Sequence, residues 1–263
     1  MRNTEPLGIV WLMKHFSYET SPYPIPAKMA EAYRSSWQYI AEAGNWWTGA
    51  ERVAIAAASR TARGCDLCRE RKAALSPYAV DGVHAAAAGP LTDKVVDAVH
   101  RITTDAARLT STWLEQCLDT DFTYGHYVEV VSIVVTTLCI DSFNEALGLE
   151  LEPLPEPVPG TPSRYLPPGA AVDVAWVPMV RPETLTEPEA DIFAGAPHAP
   201  NVIRALSLVP DAVRQLYAQS AVQYLDFSSP SMGNFDNTGD LRISRPQIEL
   251  IASRTSSIND CFY

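Results

Sequence analysis

TGAERVAIAAASRTARGCDLC, residues 48–68, reads as a capped helix that runs into a Cys-x-x-Cys. Thr48 and Glu51 have capping-box spacing. The threonine hydroxyl can accept from an orphan backbone N–H, and the glutamate can reach back to the N–H of Thr48. The alanine-rich run from Arg52 to Ala62 has high helix propensity. Gly64 then breaks the helix just before Cys65. Cys65–Leu75 is predicted as a second, short helix, stopped by Ser76-Pro77.

Outward from this stretch the chain reads as helical almost throughout. Met29, Ala32, Tyr33, Trp37 and Ile40 recur at helical spacing and predict a helix from Pro26 to Ala43, with the proline in its first turn. Asp93–Leu118 and Gly125–Leu147 are predicted as two further helices, the second ended by Gly148. Periodicity returns over Asn201–Tyr224, a polar loop is expected over Phe227–Leu241, and a last helix starts after Ser244. Twelve of the 21 prolines fall between Leu151 and Pro200, so that stretch cannot be a helical core element. It is expected to be a stiff connector, with Ala171–Val177 extended. The segment before Pro26 is expected to wrap over the first helices. The predicted fold class is all-α.

Composition narrows the function. Hydrophobic residues make up 47% of the 263 and charged residues 19%, enough for a sizeable core. A net charge of -11 repels phosphate backbones and argues against nucleic acid. The longest apolar run, Val128–Ile140, is interrupted by Glu129, Ser132, Thr136 and Thr137, so no membrane span is expected. The first residues lack a signal-peptide pattern, and a cytoplasmic location is expected. Cys65, Cys68, Cys117, Cys139 and Cys261 are an odd set, which argues against a disulfide framework.

An internal repeat organises the chain. Ser244-x-x-Gln247 is a second capping box, 196 positions after Thr48-x-x-Glu51. Ile55-Ala56 and Ile251-Ala252 keep that offset, as do Cys65 and Cys261. Tyr33–Tyr39 also matches Tyr217–Tyr224 with one gap. The expected organisation is a first helical repeat over 1–150, a proline-rich connector over 151–198, and a second, incomplete repeat over 199–263.

The pattern of cap, glutamate, apolar helix and Cys-x-x-Cys-x-x-x-His resembles the alkyl hydroperoxidase D-like and carboxymuconolactone decarboxylase-like superfamily. The likeness covers Thr48–Leu75 and Ser244–Tyr263, and Tyr127–Gly148 and Ala199–Tyr224 resemble its two-repeat members. The nearest likeness is to alkyl hydroperoxidase-related (seleno)proteins. This resemblance implies antiparallel helices, a homo-oligomer, a hydroperoxide substrate and a thiol reductant, with no cofactor and no metal. It also implies that the second cysteine is oxidised and the first resolves it, while a histidine one turn on and a glutamate twelve residues before the first cysteine relay protons. Lys72 and Val53 depart from that pattern in the first repeat. In the second, Glu249 precedes Cys261 by twelve residues, and the oxidised residue would follow Tyr263. The second repeat is therefore the expected site, with Cys261 and Glu249 in it. A UGA selenocysteine codon after Tyr263 is the expected cause of the break, and little peroxidase activity is expected from the 263 residues themselves.

On chemistry alone, Cys65 and Cys68 have three readings. A thiolate at a helix start can attack a peroxide, and its neighbour can close a disulfide. The alternatives are two buried thiols without a role, and half of a zinc site, which lacks a second pair at metal spacing. Cys117 and Cys139 read as core residues. His126 and Glu129 share a helix and read as satisfied helix-face groups ahead of a pocket lining. His15, His84, His100 and His198 have no predicted partner. Trp37, Trp46 and Trp47 read as core or interface ahead of a binding cage. The competing functions are a lactone-decarboxylase-like enzyme of the same superfamily and a non-catalytic oligomeric scaffold.

Overall fold

A computed structural model of the chain describes residues 14–85, 89–193, 199–226, 242–259 and 261. Helix α2 (Gly49–Ala62) begins as the sequence requires. Thr48 Oγ1 accepts from the Glu51 N–H, and Glu51 Oε2 accepts from the Thr48 N–H at 2.8 Å. Before it runs α1 (Ala27–Ala41), whose Ala30, Tyr33, Trp37 and Ile40 form one buried face. After it come α3 (Asp66–Ala73), α4 (Asp93–Asp105), α5 (Ser111–Cys117) and α6 (Tyr124–Ala146). Past the proline-rich segment lie α7 (Asn201–Arg204), α8 (Pro210–Gln223) and α9 (Arg245–Ile258). Among the described residues there is no strand, only one antiparallel bridge between Ala171 and Met179. The protein is all-α.

The long helix α6 forms the centre of the core. Val128, Val130, Ile133, Val134 and Ile140 are all but fully buried against Trp37 and Ile40 of α1, Ile55 of α2 and Val99 of α4. Burial of each such side chain contributes about 1.5–3 kcal/mol. By length and composition α6 could cross a membrane, but 67% of its apolar window is buried among the other helices. A helix apolar all round is what the middle of a helical core needs.

Two predicted helices are each broken in two. Asp93–Leu118 divides at a 3-10 turn, Ala106–Arg108, and Thr110 then caps α5 by accepting from the Trp113 N–H. The Arg108 guanidinium holds Asp105 and the Ala74 and Arg71 carbonyls, tying that break to the end of α3. Asn201–Tyr224 divides because Pro210, at the first position of α8, cannot continue a helix from before it.

The proline-rich segment is a strap laid on the first helices. Three of its amides go to carbonyls left over at the end of α1 and the turn beyond. Val158 N–H donates to Ala41 O at 2.8 Å, Ser163 N–H to Gly44 O and Arg164 N–H to Asn45 O. The Trp37 indole N–H donates back to Pro153 O. Residues of the second half share the core of the first. Leu208, Val209 and Ala212 join the main cluster, and Gln215 and Gln223 donate to Ser36 and Tyr33 of α1.

The histidine and glutamate of α6 are structural. Glu129 is fully buried, paired with the Arg52 guanidinium and bonded by the Trp46 N–H at 2.7 Å. His126 closes the cap at Thr123 and packs against Trp47.

Candidate functional site: a cysteine and histidine cluster

Gly64 ends the α2 turn, and Cys65 takes an extended conformation as the N-cap of α3. That places Cys68 on the first turn, one turn above Cys65, with both thiols buried. After the short turn Pro77–Ala79 the chain doubles back along α3. Val80 packs on Cys65, Leu67 and Cys68. Gly82 lies so close that an added Cβ would stand 2.8 Å from Leu67 Cδ1. Arg71 Nε donates to Val80 O at 3.0 Å and fixes this return. The next ring along is His84.

His84 Nδ1 lies 3.6 Å from Cys65 Sγ and 3.6 Å from Cys68 Sγ. His100, on α4, brings its Nδ1 to 3.3 Å from Cys68 Sγ. The four donor atoms all lie within 4.8 Å of one another. One turn before His100, Asp97 accepts from His84 Nε2 at 2.8 Å and from Arg101 Nε at 2.8 Å, and also pairs with Arg71. His100 Nε2 is buried and has no hydrogen-bond partner among the described residues.

The electrostatics follow from this packing. Burial alone would raise the Asp97 pKa, but bonds from His84, Arg101 and Arg71 hold it far below the usual carboxylate range. Burial would lower the His84 pKa, and Asp97 with the two sulfurs instead raises it to about 10. Burial and the charge on His84 depress His100 to about 4. Burial would raise Cys65, but backbone N–H groups of Cys68 and Ala85 and the His84 ring bring its thiol down to about 7. The packing thus favours the thiolate at Cys65, the imidazolium at His84 and the neutral ring at His100.

A cleft of about 530 Å³ is lined in part by Cys65 and Cys68 with Arg63, Arg69, Lys72 and Thr103. Lys72 is exposed there, and Val53, which has no titratable group, is packed against the core. The other predicted site residues lie elsewhere. Glu249 accepts from Tyr224 Oη at 2.6 Å and pairs with Arg245. Cys261 is an exposed free thiol whose N–H donates to Ser256 O. Among the described residues no hydrogen bond links either to the Cys65–Cys68 cluster. Residues 262 and 263, beside the predicted continuation, lie outside the described residues, as do His198 and the loop 227–241. His15 is paired with Glu152 at 2.6 Å.

His84 and His100 are the residues that sequence reading missed. A zinc site legible in sequence has its second pair of ligands at close spacing, whereas these imidazoles stand 16 positions apart and meet only because α4 packs on α3. Asp97-x-x-His100 on a predicted helix was the available signal, since it puts a carboxylate and an imidazole on one face. No family model, no curated protein and no solved structure matches this chain.

Proposed function

We propose that the protein is a thiol-dependent redox protein that reduces hydroperoxides at Cys65 and Cys68. The observation that carries this reading is the placement of His84 Nδ1 at 3.6 Å from each of two buried sulfurs that share a helix start and whose residues border one cleft. The likeness to alkyl hydroperoxidase D-like proteins supports the thiol chemistry, although it puts that chemistry at Cys261 and Glu249. His84 supplies the imidazole that Lys72 cannot, which favours the first half of the chain over Cys261 and Glu249 as the reacting site.

One thiolate attacks the terminal oxygen of a hydroperoxide. The O–O bond breaks, a sulfenic acid forms, and the alkoxide leaves as an alcohol on taking a proton from His84. The second sulfur attacks the sulfenic acid, an S–S bond forms, and water departs. The two electrons come from the thiol pair, and an external dithiol restores it by exchange. Lys72 lends positive charge to the cleft, while Arg63 and Arg69 in its lining are paired with Glu145 and Asp66.

The test is hydroperoxide consumption by the metal-free chain with dithiothreitol as reductant. With the site at Cys65 and Cys68, and against the low activity expected for a site at Cys261 and Glu249, turnover is expected from the wild type and from Cys261→Ser, and its loss from Cys65→Ser and Cys68→Ser. Turnover that survives both of the last two substitutions refutes this reading.

A further inference from the structure

We propose that Cys65, Cys68, His84 and His100 form a tetrahedral binding site for one zinc ion. The donor set is two thiolates and two imidazoles, the set that zinc takes in closed four-coordinate sites. With Zn–S of about 2.3 Å and Zn–N of about 2.0–2.1 Å, tetrahedral geometry puts sulfur and nitrogen ligands roughly 3.6 Å apart. Three of the donor separations are 3.6, 3.6 and 3.3 Å, and all four donor atoms lie within 4.8 Å of one another. Three of the four side chains are buried and the fourth is half-buried, so the ion would be shielded as structural sites require.

The surroundings fit as well. A ligating histidine usually donates its second ring N–H to a carboxylate, which fixes the tautomer and the ring plane. His84 Nε2 does this to Asp97, itself held by Arg71 and Arg101, and so leaves Nδ1 facing the sulfurs. The ligands come from α3, from the returning loop and from α4, so one ion would tie three pieces of chain together. No other group of three or more such side chains converges this way among the described residues.

Metal binding stands independently of the redox reading, but it bears on it. Binding requires both sulfurs as thiolates and His84 without its Nδ1 proton, so protons leave as zinc enters. Where the hydroperoxide chemistry also holds, one hydroperoxide takes two electrons from the thiolates and, with two protons, gives a disulfide, an alcohol and water. The disulfide no longer binds the ion, and zinc is released.

The experiment uses the full chain, stripped with a chelator and reduced, and titrated with Zn²⁺ against a chromophoric chelator, then separately with Co²⁺. One equivalent of zinc and a tetrahedral Co²⁺ spectrum with thiolate charge-transfer bands are expected. Cys68→Ser and His100→Ala should abolish both. Asp97→Asn, which preserves shape, should weaken zinc 10–100-fold and keep the Co²⁺ spectrum, which guards against variants that fail to fold. Absence of the thiolate–Co²⁺ bands in the wild type, or binding indifferent to all three substitutions, overturns the site. The two readings fail separately. Hydroperoxide turnover without metal binding removes the zinc site alone, and tight zinc with an inert metal-free chain removes the redox reading alone.

Discussion

His84 Nε2 lies 2.8 Å from Asp97 Oδ1, and this bond decides which ring nitrogen turns toward the two sulfurs. A carboxylate can only accept, so Nε2 carries the proton and Nδ1 faces Cys65 and Cys68. Asp97→Asn removes the charge that favours the imidazolium without removing the side chain. In metal-free protein, alkylation of the thiol pair and hydroperoxide turnover should both slow, on the order of tenfold or more. Unchanged rates by stopped-flow assay would show that His84 does not act on the sulfurs.

The Arg52–Glu129 pair is costly to break. Both side chains are essentially inaccessible, and Glu129 also satisfies the Trp46 N–H. Glu129→Ala leaves a buried guanidinium uncompensated and should destabilise the protein by about 3–5 kcal/mol. Urea unfolding followed by tryptophan fluorescence measures this directly, and a loss below about 1 kcal/mol would mean that the site hydrates or collapses.

Gly49 sits where α1, α2 and the proline-rich strap converge. A Cβ there would stand 2.1 Å from Ala41 O and 2.6 Å from Val158 O, both backbone atoms that cannot swing aside. Gly49→Ala should cost on the order of 1–3 kcal/mol through the forced shift, although alanine is the better helix former. A neutral or stabilising result in thermal unfolding would place the strap elsewhere.

His126 gives the fold a pH dependence of known sign. Burial, reinforced by Arg164, lowers its pKa from 6.5 to about 4. The unfolded chain therefore takes up a proton that the folded one refuses. This contribution is complete above about pH 6.5 and is lost as pH falls toward 4. Between pH 7.5 and 5.5 it should cost the wild type about 1 kcal/mol. His126→Gln preserves the capping geometry at Thr123 and should lose that part of the dependence. Parallel pH curves for the two proteins would contradict the assignment.

The helices were legible because their signals are local. The Thr48–Glu51 and Ser244–Gln247 boxes, the periodic face of α1 and Gly148, at φ +69°, all act within a turn or two of chain. The breaks at Ala106–Arg108 and before Pro210 were overlooked because an apolar period continues across them. In the first case Arg108, reaching back to the end of α3, fixes the break. The candidate site was half legible. Cys65 and Cys68 declare themselves by spacing, but the imidazoles arrive through tertiary packing. What brings His84 home is the tight approach of Gly82 to Leu67 and the Arg71–Val80 bond, and no window of sequence carries those contacts.

The central claim is that the sulfurs beside His84 are the reacting atoms of this chain. Metal-free, reduced protein treated with one equivalent of hydroperoxide, then alkylated, digested and analysed by mass spectrometry, tests it most directly. The account predicts an internal disulfide between Cys65 and Cys68, with Cys117, Cys139 and Cys261 still alkylated. Oxidation that begins at Cys261, or a Cys65–Cys68 peptide that emerges with both thiols alkylated, would contradict it.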